Sequence, residues 1–189
     1  MRRILTKQTH LATVMTAALL SVGTLPASAA VLTEPIHPPR VAAPEGKTNA
    51  ICSTRADVTF SPGISLTTSS GTLDSGDETG SIVCAGTFNG HRVTGPGSFG
   101  TKGTYTAICV LGQVSGRYSI TIPTDAGPMH FAPTFTATPV GVVSPIEGSQ
   151  PGMHLTGLEV FVFKRGNCVT APVTEAMIND TLIVTSQNG

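Results

Sequence analysis

Arg55-Ala56-Asp57-Val58-Thr59-Phe60 decides the fold class. Ala56, Val58 and Phe60 alternate with Arg55, Asp57 and Thr59, a period of two that sends one set to a buried face and the other to water. A helix would need its apolar residues three and four apart, a spacing that would scatter this set around the axis. The alternation recurs downstream. Tyr118, Ile120 and Ile122 interleave with Arg117, Ser119 and Thr121, while Phe131, Phe135 and Ala137 share a face opposite His130, Thr134 and Thr136.

Turn signals separate these runs: Ser61-Pro62-Gly63, Asn89-Gly90 and Gly95-Pro96-Gly97 carry the residues that tight turns require. Further strands are expected over residues 82–88, 104–111, 155–163 and 181–186. Residues 68–80, nearly all Ser, Thr, Gly, Asp and Glu, read as a solvated loop. Residues 172–179, with Pro172 at the first position, read as one short helical turn. Many short strands with no amphipathic helices between them predict an all-β domain, an antiparallel β-sandwich or barrel.

The amino terminus predicts export. Arg2, Arg3 and Lys7 precede an apolar run over residues 11–25, Pro26 breaks it, and Ala27-Ser28-Ala29 is a small-x-small cleavage site. Such a segment is a signal peptide, here residues 1–30. It is too short and too rich in small residues to remain as a span, so no membrane span is expected after cleavage. Residues 31–49, with Pro35, Pro38, Pro39 and Pro44, read as an extended arm or linker. Residues 50–189 read as a single β domain. Beyond residue 30 the chain carries about eight basic and eleven acidic side chains. That mild acidity, with no basic stripe, argues against nucleic acid as a partner.

The four cysteines, Cys52, Cys84, Cys109 and Cys168, all fall in the exported part, where an even count reads as two disulfides that staple the domain. No pair has the CxxC spacing of a metal site. Three pairings are possible and spacing alone does not choose among them. We lean toward Cys52 with Cys84, which fall in the first strand pair, leaving Cys109 with Cys168.

The run Thr59-Phe60-Ser61-Pro62-Gly63-Ile64, the Gly-bounded strand carrying Cys84, and the Gly103-Thr104-Tyr105 and Cys109 segment resemble secreted β-rich proteins of actinobacteria whose function is unknown. The resemblance covers about the first half of the mature chain. It implies export and a β fold, and no activity.

Chemistry-bearing residues are sparse. A serine hydrolase needs a nucleophile, a base and an orienting acid in contact. His91, His130 and His154 are available, but no Gly-x-Ser-x-Gly elbow is present, since Pro96 precedes Gly97-Ser98-Phe99-Gly100. No catalytic residue is assigned. Asp57, Glu147, Glu159 and Glu175 are the isolated acids in or beside strands. Glu159 stands between Leu158 and Val160 in the most apolar strand. We favour an edge-strand charge facing water, which discourages aggregation. A buried carboxylate there would instead have a raised pKa and could act as an acid. Asp74-Ser75-Gly76-Asp77-Glu78 has the oxygen density that calcium uses, without a matching ligand spacing, and reads as a solvated acidic loop. Met129-His130 and Met153-His154 pair thioether with imidazole, as copper sites do, yet adjacent strand residues point to opposite faces. No metal and no cofactor are expected.

The segment 155–163 is apolar on both faces: Leu158, Val160 and Val162 point one way, Phe161 and Phe163 the other. One face must be core. The other is covered by a second layer, or else lines a pocket or a partner surface. These five residues are the candidate binding surface. The functional expectation is a non-catalytic domain, secreted or of the cell envelope, that binds an apolar ligand or a protein partner. The alternative is a small extracellular hydrolase with a convergent active site.

Overall fold

The computed structural model describes residues 46–187, which fold as strands joined by turns, with no helix among them. The expected signal peptide and most of the Pro-rich arm lie outside the described residues. The strands are β1 (Asn49–Ile64), β2 (Ser69–Asp74), β3 (Gly80–Phe88), β4 (His91–Arg92), β5 (Gly97–Ile108), β6 (Leu111–Thr124), β7 (Gly127–Phe131), β8 (Thr134–Ala137), β9 (Val143–Gln150), β10 (Met153–Arg165) and β11 (Val173–Ser186). All pair antiparallel in one sheet.

That one sheet closes partly into a ring, so of the two expected architectures the fold follows the barrel. From β1 the ladder runs through β11, β10, β9, β8 and β6 to β5. It returns from β5 to β1 through β2 along one half and β3 along the other. Closure is partial: β3 meets β5 only over Gly80–Ile82, and β4 and β7 pair on one side, which keeps the open edges short.

The period of two fills the barrel. In β1, Ala50, Cys52, Thr54, Ala56, Val58 and Phe60 are buried between exposed neighbours, and in β11, Val173, Ala176, Ile178, Asp180, Leu182 and Val184 are the buried set. Aromatic rings pack across the interior. Tyr118 stacks on Phe135 with centroids 4.2 Å apart and also meets Phe99 at 5.0 Å, while Phe60 meets Tyr105 edge-on at 5.7 Å.

Inward-facing glycines let the wall bend. Gly103 and Gly116 stand directly opposite each other on β5 and β6, and a side chain on either would run into the backbone of the partner strand. The Phe135 ring fills the space beside Gly116, a glycine kink covered by an aromatic. Two disulfides complete the frame. Cys52–Cys84 joins directly opposed residues of β1 and β3. Cys109–Cys168 ties the β5–β6 turn to the β10–β11 connection.

Three local expectations are corrected. Residues 172–179 are not a helical turn but the start of β11, because their backbone pairs with β1 and β10. Residues 68–80 are not all loop: Ser69–Asp74 forms β2, whose hydroxyl-rich outer side chains suit a strand facing water. Residues 104–111 are not one strand, since a turn at Cys109 and Val110 separates β5 from β6.

Candidate functional site

A row of polar side chains crosses the inside of the barrel wall. Thr54 of β1 stands opposite Asp180 of β11, Asp180 opposite Glu159 of β10, and Glu159 opposite Ser144 of β9. All four are buried; Glu159 is 5 % exposed and Asp180 1 %. The preferred reading of Glu159 as a water-facing edge charge is therefore corrected. β10 is not an edge, being paired on both sides, and Glu159 shares the inward phase of Met153, Leu155 and Phe161.

Two carboxylates directly opposite on neighbouring strands are close neighbours, with Cβ atoms roughly 4.5–5.5 Å apart. Among the described residues, no lysine, arginine or histidine is buried in the interior. Neither oxygen of Asp180 finds a hydrogen-bond partner, nor do the hydroxyls of Thr54 and Thr101. Burial pushes the Glu159 carboxyl well above its ordinary value, and Asp180 adds to the rise. Burial likewise raises Asp180 to about 7, moderated by the Thr54 hydroxyl, which lies near it without hydrogen-bond geometry. Tyr118 is held neutral by burial first and by the two acids second. A cavity of about 10 Å³ lined by Glu159, Thr101 and Tyr118 adjoins the row. It has room for about one water and none for a substrate.

The outer side of the same strands is apolar. Ile51 (60 % exposed) stands opposite Ile183 (50 %), and Val160 opposite Val143, with Leu158 (54 %) and Val162 between and beside them. Of the candidate surface residues, Leu158, Val160 and Val162 point outward with no described residue packed over them as a second layer. Phe161 points inward, half-buried against the core. Phe163 is partly exposed and joins Phe161, Cys109, Pro139, Cys168 and Val173 around a cavity of about 40 Å³ at one end of the barrel. The outer side of β5 and β6 differs: Lys102, Thr104, Thr106, Gln113, Ser115 and Arg117 make it polar.

Among the described residues, the histidines do not assemble a triad. His91 Nδ1 lies 3.3 Å from Asp125 Oδ1 in an exposed pair. His130 Nδ1 is 2.8 Å from the Thr121 hydroxyl, and Thr121 in turn donates to Glu78 Oε2 at 2.8 Å. The Thr121 proton is thus committed to the carboxylate, so His130 must donate through Nδ1, and the acid orients the hydroxyl instead of the imidazole. His154 lies on the outer wall opposite Ser149 and Thr185.

The acidic loop does not converge on a cation site. Lys102 pairs with Asp77 at 2.8 Å and Asp74 at 3.8 Å. Glu78 turns away, accepting hydroxyl hydrogen bonds from Ser98, Ser119 and Thr121. These bonds hold its carboxyl below the ordinary value, Ser98 foremost. Glu78 thereby straps the loop onto the outer wall of β5 and β6. Met153 points into the barrel and His154 out of it, so the two Met-His pairs cannot gather four ligands. Among the described residues no group of three His, Cys, Asp or Glu could hold a metal ion.

The expected last strand begins at Thr181, one residue past Asp180, and so leaves that acid out. Its signal was legible in the alternation Ala176, Ile178, Asp180, Leu182, Val184, which places it among inward side chains. Ile51 and Ile183 fall in the outward phase of the same alternation, but only the cross-strand register joins them to β10 as one band.

No family model matches this chain, and no curated protein does. Among solved structures it is similar to Ail, the attachment invasion locus protein of Yersinia pestis, at 10 % identity, covering 75 % of this chain and 98 % of that one, with a TM-score of 0.15. A likeness that slight carries no argument about fold or function.

Proposed function

We propose that this chain is an exported, non-catalytic domain of the cell envelope or extracellular space that meets a protein partner through the outer wall of β1, β11, β10 and β9. The observation that carries the reading is the apolar band of Ile51, Ile183, Leu158, Val160, Val143 and Val162 on adjacent strands. Its neighbours on the same wall include Arg55, Asp57, Glu147 and Lys164. An exposed apolar patch within a polar rim is the pattern of a protein-binding surface. Charges on the outer wall also fit poorly with a lipid-facing band.

Export is supported by the amino-terminal signal and by two disulfides, which persist in oxidising compartments. The resemblance to secreted actinobacterial proteins belongs to the same reading. A protein partner is favoured over an apolar small molecule on grounds of volume. Ligand pockets run to roughly 300–1,000 Å³, whereas the apolar cavity beside Phe161 and Phe163 holds about 40 Å³.

Site-specific photo-crosslinking in the producing cell tests the reading. A crosslinker at Leu158 is expected to capture a discrete protein adduct, and one at Thr104 on the polar wall none. No adduct from Leu158, or equal capture from both positions, overturns it.

A further inference from the structure

The acid pair inside the barrel is unused by any outer-surface function. Its geometry is unambiguous: Glu159 and Asp180 are directly opposed across the β10–β11 seam and both point into the core. The elements packed around them bring hydroxyls and no cation. β1 presents Thr54 and β9 presents Ser144 in the same row, while Thr101 of β5 and Tyr118 of β6 face Glu159 across the small cavity. Arg55 and Asp57 of β1 and Lys164 of β10 are exposed on the outer wall. Two carboxylates so placed cannot both ionise without leaving two unpaired like charges in a dry interior.

We propose that Glu159 and Asp180 are held protonated in the closed barrel, and that their ionisation makes the barrel a pH-responsive structure, tight in mild acid and loosened above neutrality. The device lies in the fold and stands whether or not the outer wall binds a partner.

The direction follows from linkage. Both acids titrate higher in the folded chain than in the unfolded one, where ordinary values are 3.8 for Asp and 4.5 for Glu. Over that interval the folded state keeps protons that the unfolded state has released. Stability is therefore full below the unfolded values and falls as pH rises toward about 7, where Asp180 ionises in the fold. Each retained proton raises the unfolding constant up to about tenfold per pH unit. Glu78, whose carboxyl is shifted the other way, acts at the acid end and leaves this window clear. The seam that ionisation would spread carries Leu158 and Val160 on β10 and Ile183 on β11, so the outer apolar band is coupled to the same event.

Urea unfolding of the disulfide-intact protein at pH 5, 6, 7 and 8 tests the proposal, comparing wild type with Asp180→Asn, Glu159→Gln and the double variant. The wild-type unfolding constant is expected to climb several-fold per pH unit from 5 to 7, and the double variant to lose that slope. Infrared spectroscopy of the wild type supplies a readout that does not depend on the variants folding. A protonated-carboxyl band is expected at pH 6 and should diminish at pH 9. A wild-type profile flat from pH 5 to 8, a slope that survives in the double variant, or absence of the band at pH 6 overturns the proposal. So does millimolar calcium restoring stability at pH 8 in the wild type but not in Asp180→Asn, because a cation would then be the partner in place of the proton.

Discussion

A methyl group added at Gly116 should weaken the seam that closes the barrel. Gly116 faces inward, opposite Gly103, where β5 and β6 crease together. An added Cβ would overlap the Lys102 carbonyl oxygen and lie 2.9 Å from both Gly103 Cα and Phe135 Cε1. The backbone atoms belong to the closing ladder, and Phe135 is stacked on Tyr118 at 4.2 Å, so neither side retreats freely. Overpacking of this kind costs roughly 1–3 kcal/mol. Displacing Phe135 from Tyr118 forfeits about 0.5–1.5 kcal/mol more. Replacing glycine returns about 0.4–1 kcal/mol by restricting the unfolded chain. The balance is a net loss of about 2–3 kcal/mol for Gly116→Ala. Gly95 is the control, since a Cβ there meets only Pro123 Cγ at 3.8 Å; Gly95→Ala should stay within about 0.5 kcal/mol of wild type or gain slightly. Urea unfolding monitored by circular dichroism, with disulfides intact, reads both. If Gly116→Ala and Gly95→Ala unfold together at the wild-type midpoint, the crease is not the constraint described here.

Other outcomes follow from separate parts of the molecule. The Cys52→Ala/Cys84→Ala variant releases a loop of 32 residues and should lose about 3–4 kcal/mol on the loop-entropy estimate; an unchanged urea midpoint would contradict the bridge. Glu78→Gln should cost on the order of 1 kcal/mol at pH 7, because the hydroxyls of Ser98, Ser119 and Thr121 lose a charged acceptor in a partly solvated site. The lowered Glu78 pKa means that this stabilisation is present above the ordinary glutamate value and is lost as pH falls through the folded one. The difference between Glu78→Gln and wild type should therefore shrink in melts below pH 4. Phe161→Ala should cost about 2–3 kcal/mol and Phe163→Ala about 1 kcal/mol, since only Phe161 packs on the core; equal losses in thermal unfolding would mean that the two rings share one environment.

Much of the fold is written in the alternation. The phase of Ala56, Val58 and Phe60 in β1, and of Tyr118, Ile120 and Ile122 in β6, is the phase of the barrel interior, and Asn89-Gly90 turns the chain where expected. Closure was not legible. Whether a set of strands stacks as two sheets or curls into one depends on long-range partners such as β1 with both β11 and β3, and β6 with β8. The glycines that permit the curl look like any other glycines in a Gly-rich chain. Local composition misled in three places. At Ser69–Asp74 a hydroxyl-rich run that reads as loop is strand β2. Pro172 suggested a helix start, yet the β1 and β10 edges on either side captured that segment as strand. Glu159 looked like a solvent charge because acids rarely point inward, but its phase with Leu155 and Phe161 overrode its own preference for water. The apolar outer band was half visible: the two-sided hydrophobicity of β10 was plain, while its continuation through Ile183 to Ile51 needs the cross-strand register.

The most direct test of the outer wall as a working surface is one double change, Leu158→Lys with Ile183→Lys, read for stability and association together. Both side chains are about half exposed, Leu158 at 54 % and Ile183 at 50 %, so lysine stems can lie along the wall with their charges in water. The melting temperature should hold within a few degrees of wild type. Covalent capture from a crosslinker at Val160 should disappear, because two cations now sit in an apolar contact. Capture that persists undiminished in a stable double variant would contradict the account, and so would a variant that fails to fold, since these positions would then belong to the core.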